Sequence, residues 1–552
     1  MKITKLGVAI ATLLGAGFTA NAMALELYVD QKTQQIFAEP GPGRTKLGNF
    51  ERVEDNVSKV NVDAAQQAEI TKLKEDLALK NNEIKALDEH VNDPAYGKVR
   101  MGETGVKWES ADRKFDVQLN GRVQIDSEVN VDQSGVKQAT GANTSNNLAD
   151  GMSIRRARLS AEGHMFKEYG YKLEYDFTRG NGSTASGVTE AWMNWNGYSP
   201  VTMTIGQFKE PISLEEATSD IQTSFIERNM AVNAFIDNNN VFKMGMGLRY
   251  ADPRWTAQTA LQTESIGNGS PTYDASSTNG NFNANRNNGS GDTGWGITGR
   301  VTGLPWFADK NHMLHIGAAG SQRYLNVNPN ANGKAFAGNG GGAVFGSNLN
   351  TNVDRTLILN TGFISTPNGS VTTQTVTRAG GEAAMVYGPV SFQGEYLQAQ
   401  VGGNGLNNNN LNGYYGFVSY FLTGESRNYN DKMGIFDRIK PLQNFTTQGG
   451  GGGLGAWEML AGYDYLDLNS GIIHGGRAGS GKVGLNWYPN SRFRVMANFI
   501  HLFELETNAT ACASSNTSCS PSSYPSGTSA TRSNAFNSTH PDIFEIRTQV
   551  DF

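Results

Sequence analysis

The stretch Ser153 to Gly163, SIRRARLSAEG, limits the fold more than any other part of the chain. Side chains along an extended strand alternate between two faces. Arg156, Arg158, Ser160 and Glu162 therefore share one side, and Ala157, Leu159 and Ala161 the other. A strand that is charged on one face and apolar on the other fits a barrel with lipid outside and water inside. An arginine facing lipid near the midplane costs roughly 2–4 kcal/mol, so Arg156 and Arg158 must face the lumen. Arg155 has the opposite parity and needs a rim position or a bulge. The expected structure is a water-filled pore built around guanidinium groups.

The same period of two runs from about Lys98 to the end of the chain. Phe115, Val117, Leu119, Val123 and Ile125 alternate with Gln118, Asn120, Arg122, Gln124 and Asp126, and Tyr171 to Thr178 repeat the pattern. Further strands are expected near 188–196, 201–208, 242–250, 254–262, 295–303, 312–321, 355–364, 380–400, 412–422, 455–466, 480–503 and 543–552. The count comes to roughly sixteen to eighteen, and bacterial barrels close with an even number. Gly/Asn/Ser-rich inserts near 265–293, 325–352, 402–411 and 507–540 read as extracellular loops. Aromatic pairs at strand ends, Trp192 with Trp195 and Trp487 with Tyr488, suit interfacial girdles. The fold class is all-β, a transmembrane antiparallel β-barrel spanning residues 98–552.

Composition agrees. Only 38% of the 552 residues are apolar, 66 are glycine, and no apolar run beyond the N-terminus is long enough for a membrane helix. Lys2 and Lys5 precede the apolar run Leu6–Phe18, and Ala22-Met23-Ala24 offers a cleavage site, so residues 1–24 read as a signal peptide. Its removal leaves 44 basic groups against 52 acidic ones, a net charge of -8. That balance argues against a nucleic-acid partner, and any anion preference must come from local placement of Arg and Lys. Residues 25–56 form an N-terminal periplasmic segment, with a short strand at Leu25–Val29 and a turn at PGPG, 40–43.

Residues 57–93 read as a periplasmic coiled-coil helix. Ile70, Leu73, Leu77, Ile84, Leu87 and Val91 follow 3–4 spacing, Lys80 takes the remaining seam position, and Pro94 closes the run. Such a helix links chains of an oligomer, grips the cell wall (peptidoglycan), or packs on something else. Cys512 and Cys519, alone in a Ser/Thr/Asn-rich stretch, suit a small disulfide loop in an exported protein and fall short of a metal site. The chain ends IFEIRTQVDF, with Phe544, Ile546, Thr548, Val550 and Phe552 on one face. A terminal aromatic on an amphipathic strand resembles the signal read by the outer-membrane assembly machinery, which implies outer-membrane lipid around the barrel.

Several segments resemble one family. LNGRVQID at 119–126, IRRARLSAEG at 154–163, YGYKLEYDFTR at 169–179 and GQFKEPISLEEATS at 206–219 are similar to the phosphate-selective porin O/P family, in order along the barrel. So are SFIERNM at 224–230, SYFLTGESRNY at 419–429, WEMLAGYDYLDL at 457–468 and VGLNWYPN at 483–490. The resemblance implies sixteen strands, a homotrimer, and a third loop folded inward as a basic constriction passing small inorganic anions, phosphate or polyphosphate among them. It carries Arg122, Arg155, Arg156 and Arg228 over as arginines of the anion pathway and Lys172 as a lumenal lysine. The loop from Lys209 to Arg228 becomes the constriction, with Thr218 and Ser219 as hydroxyl donors beside it. Two features depart from the pattern. Glu216 stands where phosphate-specific members place a lysine, and the arginine-rich run expected over 325–360 shrinks to Lys334 and Arg355. Both bear on phosphate selectivity; neither bears on membership.

Guanidinium suits phosphate because its planar fork donates two hydrogen bonds and keeps its proton. By parity the lumen receives Arg122, Arg156, Arg158, Lys172, Arg249, Arg300, Arg494 and Arg547, with Asp126, Glu162, Glu174, Asp176 and Glu545 to pair with them. Each arginine is either an ion contact or a wall-stiffening salt bridge. No catalytic constellation, cofactor motif or metal set is evident. GRAGSGK at 476–482 imitates a phosphate-binding loop, but Val483 replaces the required hydroxyl residue. Two other readings stay open: a general or sugar-conducting porin, which would need an aromatic track down the lumen, and an anchoring protein mounted on a barrel.

Overall fold

A computed structural model describes residues 25–30, 36–37, 39–50, 64–92, 97–102, 105–136, 147–178, 187–237, 241–263, 265, 294–325, 343, 345–361, 364, 374–403, 406, 409–446, 452–471, 473–507 and 535–552. The proposed signal peptide, Lys334, Cys512 and Cys519 lie outside these. The chain divides between Asn92 and Asp93 into two units.

In the first unit, Leu25–Asp30 is the central strand of a three-stranded sheet, paired antiparallel with Ile36–Phe37 and Arg44–Phe50. Helix α1 runs Ala64–Asn92; residues 57–63, where the expected coiled coil begins, lie outside the described set. Ile70, Leu73, Leu77 and Ile84 are all exposed, and Lys80 reaches Glu83 at 2.8 Å one turn on. An apolar seam left open along a helix gives it no tertiary stabilisation within a single chain.

The second unit is a closed barrel of 16 antiparallel strands. In chain order these are β1 Phe115–Asp132, β2 Gly151–Met165, β3 Tyr169–Asp176, β4 Val188–Tyr198, β5 Val201–Lys209, β6 Phe242–Ala251, β7 Trp255–Gln262 and β8 Trp295–Asp309. They continue with β9 His312–Leu325, β10 Gln374–Tyr387, β11 Val390–Gly402, β12 Leu411–Phe421, β13 Ala456–Ser470, β14 Ile473–Asn490, β15 Phe493–Glu506 and β16 Asp542–Asp551. The alternation sorts itself as lipid and water require. Leu159, Leu173, Ile205, Ile297, Val301 and Phe544 are exposed on the outer face, while Arg158, Glu174, Thr298, Arg300 and Arg547 are buried within. The pattern beginning at Lys98 is a hairpin, Lys98–Gly102 with Gly105–Glu109, that pairs with the start of β1.

Closure joins β16 to β1 from Asp542 opposite Asp132 to Asp551 opposite Arg122. The seam ends in two reciprocal backbone bonds of 3.0 Å between Gly121 and Phe552. The Phe552 ring lies over Gly121, where an added Cβ would collide with it, so the ring covers backbone that glycine leaves bare. Gly121→Val is expected to cut the heat-modifiable, folded fraction after refolding by roughly half or more, since a displaced ring also loses its packing. An unchanged folded fraction on unheated gels would show that the ring does not matter to closure.

One end of the barrel has short turns and the other has long loops. Two expectations about the segments change. Residues 355–364 are not a wall strand: only Leu359–Asn360 is extended, paired with Gly346–Ser347 inside the loop after β9. GRAGSGK is not a loop either, because residues 476–482 lie within β14. A long insert at the short-turn end, residues 422–455, turns back into the lumen as a small hairpin of Asn428–Asn430 and Ile435–Asp437. Arg300 donates to Gly434 O at 2.7 Å and the Tyr429 hydroxyl meets His315 Nδ1 at 2.7 Å, which ties the hairpin to the wall.

Candidate functional site: an acidic loop among wall arginines

Residues 210–237, between β5 and β6, fold into the barrel. Their apolar side chains Ile212, Phe225, Met230, Val232 and Phe235 are buried against Leu397, Leu411, Phe417 and Leu460 of the inner wall and Phe345 of the neighbouring loop. Each such burial contributes about 1.5–3 kcal/mol, enough to hold the loop off the barrel mouth. Two short helices shape it, α2 Leu214–Ala217 and α3 Met230–Phe235. Ser213 caps α2 by accepting the Glu216 N–H at 3.2 Å. Below α2, Glu395 on β11 accepts the N–H groups of Leu214 at 3.1 Å and Glu215 at 2.7 Å, and the Tyr415 hydroxyl at 2.6 Å. The loop entered because its apolar residues match an apolar sector of wall, and Glu395 sets where it stops.

The loop's own charge is acidic. It holds Glu210, Glu215, Glu216, Asp220, Glu227 and Asp237 against the single base Arg228. The cations come from the wall. Asp220 reaches Arg122 at 2.6 Å, Arg156 at 2.9 Å and Arg158 at 3.0 Å. Arg122 also meets Glu174 at 2.7 Å, and Arg158 meets Asp176 at 2.8 Å and Glu174 at 3.2 Å. Burial works against the Asp220 charge, but Arg156, Arg122 and Arg158 outweigh it and hold the carboxyl well below its usual range.

Arg155 is accommodated by the second of the two expected routes. The β1–β2 register slips between Gln124 and Ile125, leaving Arg155 as the extra residue of a bulge, and its guanidinium meets Glu227 at 2.8 Å. Arg547 bridges Asp126 at 2.6 Å and the same Glu227 at 2.5 Å. Lys172 pairs with Glu190. Lys209 pairs with Glu216 at 3.1 Å, and Arg228 pairs with Glu216 at 2.8 Å and Asp237 at 3.6 Å. All seven expected cations therefore stand inside the barrel, and each has a carboxylate partner. The Thr218 hydroxyl is buried without a hydrogen-bond partner among the described residues. The Ser219 carbonyl accepts the Gln222 N–H at 2.8 Å.

Several lumenal groups were missed by the pattern reading. Arg378, on β10, meets Glu210 at 2.5 Å, and Lys482, on β14, meets Asp464 at 3.2 Å. Arg427, in the short-turn insert, lies 3.5 Å from the centre of the Phe436 ring. Trp192 was read as an interfacial aromatic, but its indole points inward and donates to Glu190 at 3.2 Å, while Trp195 stays outside. The parity of Glu190 and Asn194 beside Trp192 could have shown this. The insert itself had one legible sign: no alternation runs from Thr423 to Gly455.

Two cavities open in the lumen around the loop, with no lining residue in common. One, of about 250 Å³, lies under Ile221 and is lined by Arg122, Arg158, Lys172, Arg438 and Arg492 against Glu162, Glu174 and Asp551. Its lining holds five cations and three carboxylates, while Asp220, Asp176 and Glu190 pair with Arg122, Arg158 and Lys172 from beside it. The other, of about 430 Å³, lies along β4 to β7.

The family model of phosphate-selective porins O and P matches residues 117–517. Porin O of Pseudomonas aeruginosa is 26% identical over 416 residues, 72% of this chain and 85% of that protein. An uncharacterised protein of Caulobacter vibrioides is 27% identical over 413 residues, 74% of this chain and 73% of its own length. Among solved structures, an anion-selective porin from Comamonas acidovorans shares 12% identity with a TM-score of 0.42, covering 79% of this chain and 100% of its own. With the match running over most of a closed sixteen-strand barrel, this chain belongs to the phosphate-selective porin O and P family and is an outer-membrane porin.

Proposed function

We propose that the barrel passes small inorganic anions by diffusion, phosphate among them, and that the cavity under Ile221, with its cation-rich lining, is the basin they cross. That cavity is the observation that carries the reading. Its lining carries five cations to three carboxylates in a narrow, low-dielectric enclosure that focuses their field. Arg122 and Arg158 line it directly. Arg156 stands beside them on Asp220, and Arg355, exposed in the loop after β9, supplies charge without a carboxylate partner among the described residues. Carboxylates share most of the wall arginines, so an anion finds several moderate sites, which favours hopping over trapping. The short-turn end is the periplasmic one.

In a planar bilayer under a KCl gradient, the reversal potential should favour chloride, and phosphate should block that current. Replacing Arg156 and Arg228 together with alanine should move the potential toward potassium and weaken the block, because Asp220, Glu216 and Asp237 then lose counter-charge. Cation preference in the unaltered protein would end the anion reading.

The open seam of α1 supports a second element of this proposal: three copies of the chain join through it into a periplasmic coiled coil, giving a homotrimer. Ile70, Leu73, Leu77 and Ile84 are exposed in the single chain and fall at a and d positions. Amine-reactive cross-linking of the full chain should trap trimers, and deleting 57–91 should abolish that product while conductance persists. If the deletion spares conductance and cross-linked trimers but loosens attachment to peptidoglycan, the helix is a wall anchor instead.

A further inference from the structure

The cavity along β4 to β7 differs in kind from the basin just described. Its volume of about 430 Å³ falls within the roughly 300–1,000 Å³ usual for small-ligand sites. Pro211 and Ala217 of the inward loop close one side, and Met433 and Ile435 of the periplasmic insert close the other. The insert cannot easily withdraw, because Gln258 donates to Met433 O at 3.5 Å and Arg300 to Gly434 O at 2.7 Å.

Its lining is amphipathic. Trp192, Phe208, Met433 and Ile435 present apolar surface, and the Trp192 indole is held in place by its bond to Glu190. Most of its charges are already committed. Glu190 takes Lys172, Glu210 takes Arg378, and Lys209 takes Glu216. Arg249 is the exception: among the described residues it has no carboxylate partner, and its guanidinium lies against the Met433 sulfur. A thioether is a weak acceptor for a group with five N–H donors, which leaves a cation facing the cavity with little to neutralise it.

We infer that this cavity is a binding site for small organic anions with an apolar body, such as aromatic carboxylates, in which Arg249 takes the carboxylate and Trp192, Phe208 and Ile435 take the ring. The fork of the guanidinium matches a carboxylate in two hydrogen bonds, and the indole and phenyl faces offer stacking area. Inorganic phosphate gains nothing from those faces and is better served by the basin under Ile221. The pore then offers two chemically distinct stations, one for compact anions and one for anions that carry a hydrophobic group.

Equilibrium dialysis of labelled benzoate and labelled acetate against the folded, detergent-solubilised protein tests this without depending on ion selectivity. A channel that fails the reversal-potential test can thus still pass or fail here. Benzoate should bind roughly tenfold more tightly than acetate, since only benzoate buries a ring. Arg249→Gln and Trp192→Ala should each bring benzoate down to the acetate level, and Arg249→Gln should leave phosphate binding as it was. Equal binding of the two carboxylates by the unaltered protein would overturn the inference. So would full benzoate binding by Arg249→Gln when unheated gels show that variant folded.

Discussion

Asp220→Asn should bind phosphate more tightly and favour chloride more strongly than the unaltered porin. Asp220 is an anion that the protein supplies to its own arginines: its carboxylate sits within 3.0 Å of Arg122, Arg156 and Arg158. A permeating anion competes with it for the same guanidinium groups. Unit charges about 4 Å apart interact by roughly 4 kcal/mol at an effective dielectric of 20, and salt and lumenal water leave a fraction of that. A gain of about tenfold in phosphate block, or roughly 1.4 kcal/mol, is therefore expected from single-channel recordings across a phosphate titration. Asp220→Glu, which keeps the charge, should stay near the original affinity. A weaker block in Asp220→Asn would mean that the carboxylate holds the arginines in a receptive arrangement and does not compete with the anion.

The second large effect is expected at Glu395, a residue far from the arginines. Its carboxylate accepts two backbone N–H groups at the start of α2 and the Tyr415 hydroxyl. Such hydrogen bonds contribute about 0.5–1.5 kcal/mol each, and a buried donor left unpaired costs about 1–3 kcal/mol, so Glu395→Ala removes the polar tether at the start of α2 and leaves donors buried. Single-channel conductance and the chloride preference should rise together, as the loop takes its six carboxylates away from the wall arginines. Glu395→Gln retains one acceptor oxygen and should give an intermediate channel. Unchanged conductance in the alanine variant would show that apolar burial of Ile212, Phe225 and Phe235 alone fixes the loop.

Both effects bear on how the porin selects ions. The inward loop supplies one positive charge, Arg228, and brings six carboxylates to a wall that carries most of the cations. Glu216 joins Lys209, at the end of β5, to Arg228 and so ties the loop to its own entry strand. On the proposed reading, selectivity rests on the cation-rich lining of the basin and on groups such as Arg355 that have no carboxylate partner among the described residues. This explains how a chain with an overall negative charge can carry a cation-lined passage.

The barrel was legible because its physics is local. A strand in lipid must alternate, so Leu159 and Arg158 declare their faces from sequence alone, and the misfit of Arg155 announced a bulge that the β1–β2 register contains. That alternation over the chain was enough to assign the wall and the inward placement of Arg122, Arg156, Arg158 and Lys172, while the compartment was read from the leader and the terminal aromatic strand. What those cations touch was decided elsewhere. Asp220, which the three arginines share, lies on a loop whose path depends on apolar burial against distant strands, from Leu397 to Leu460. The insert after β12 enters the lumen through contacts with His315 and Arg300, more than a hundred residues earlier. Alternation is a property of neighbours in sequence, but pairing of charges is a property of neighbours in space, and only the folded loops bring those neighbours together.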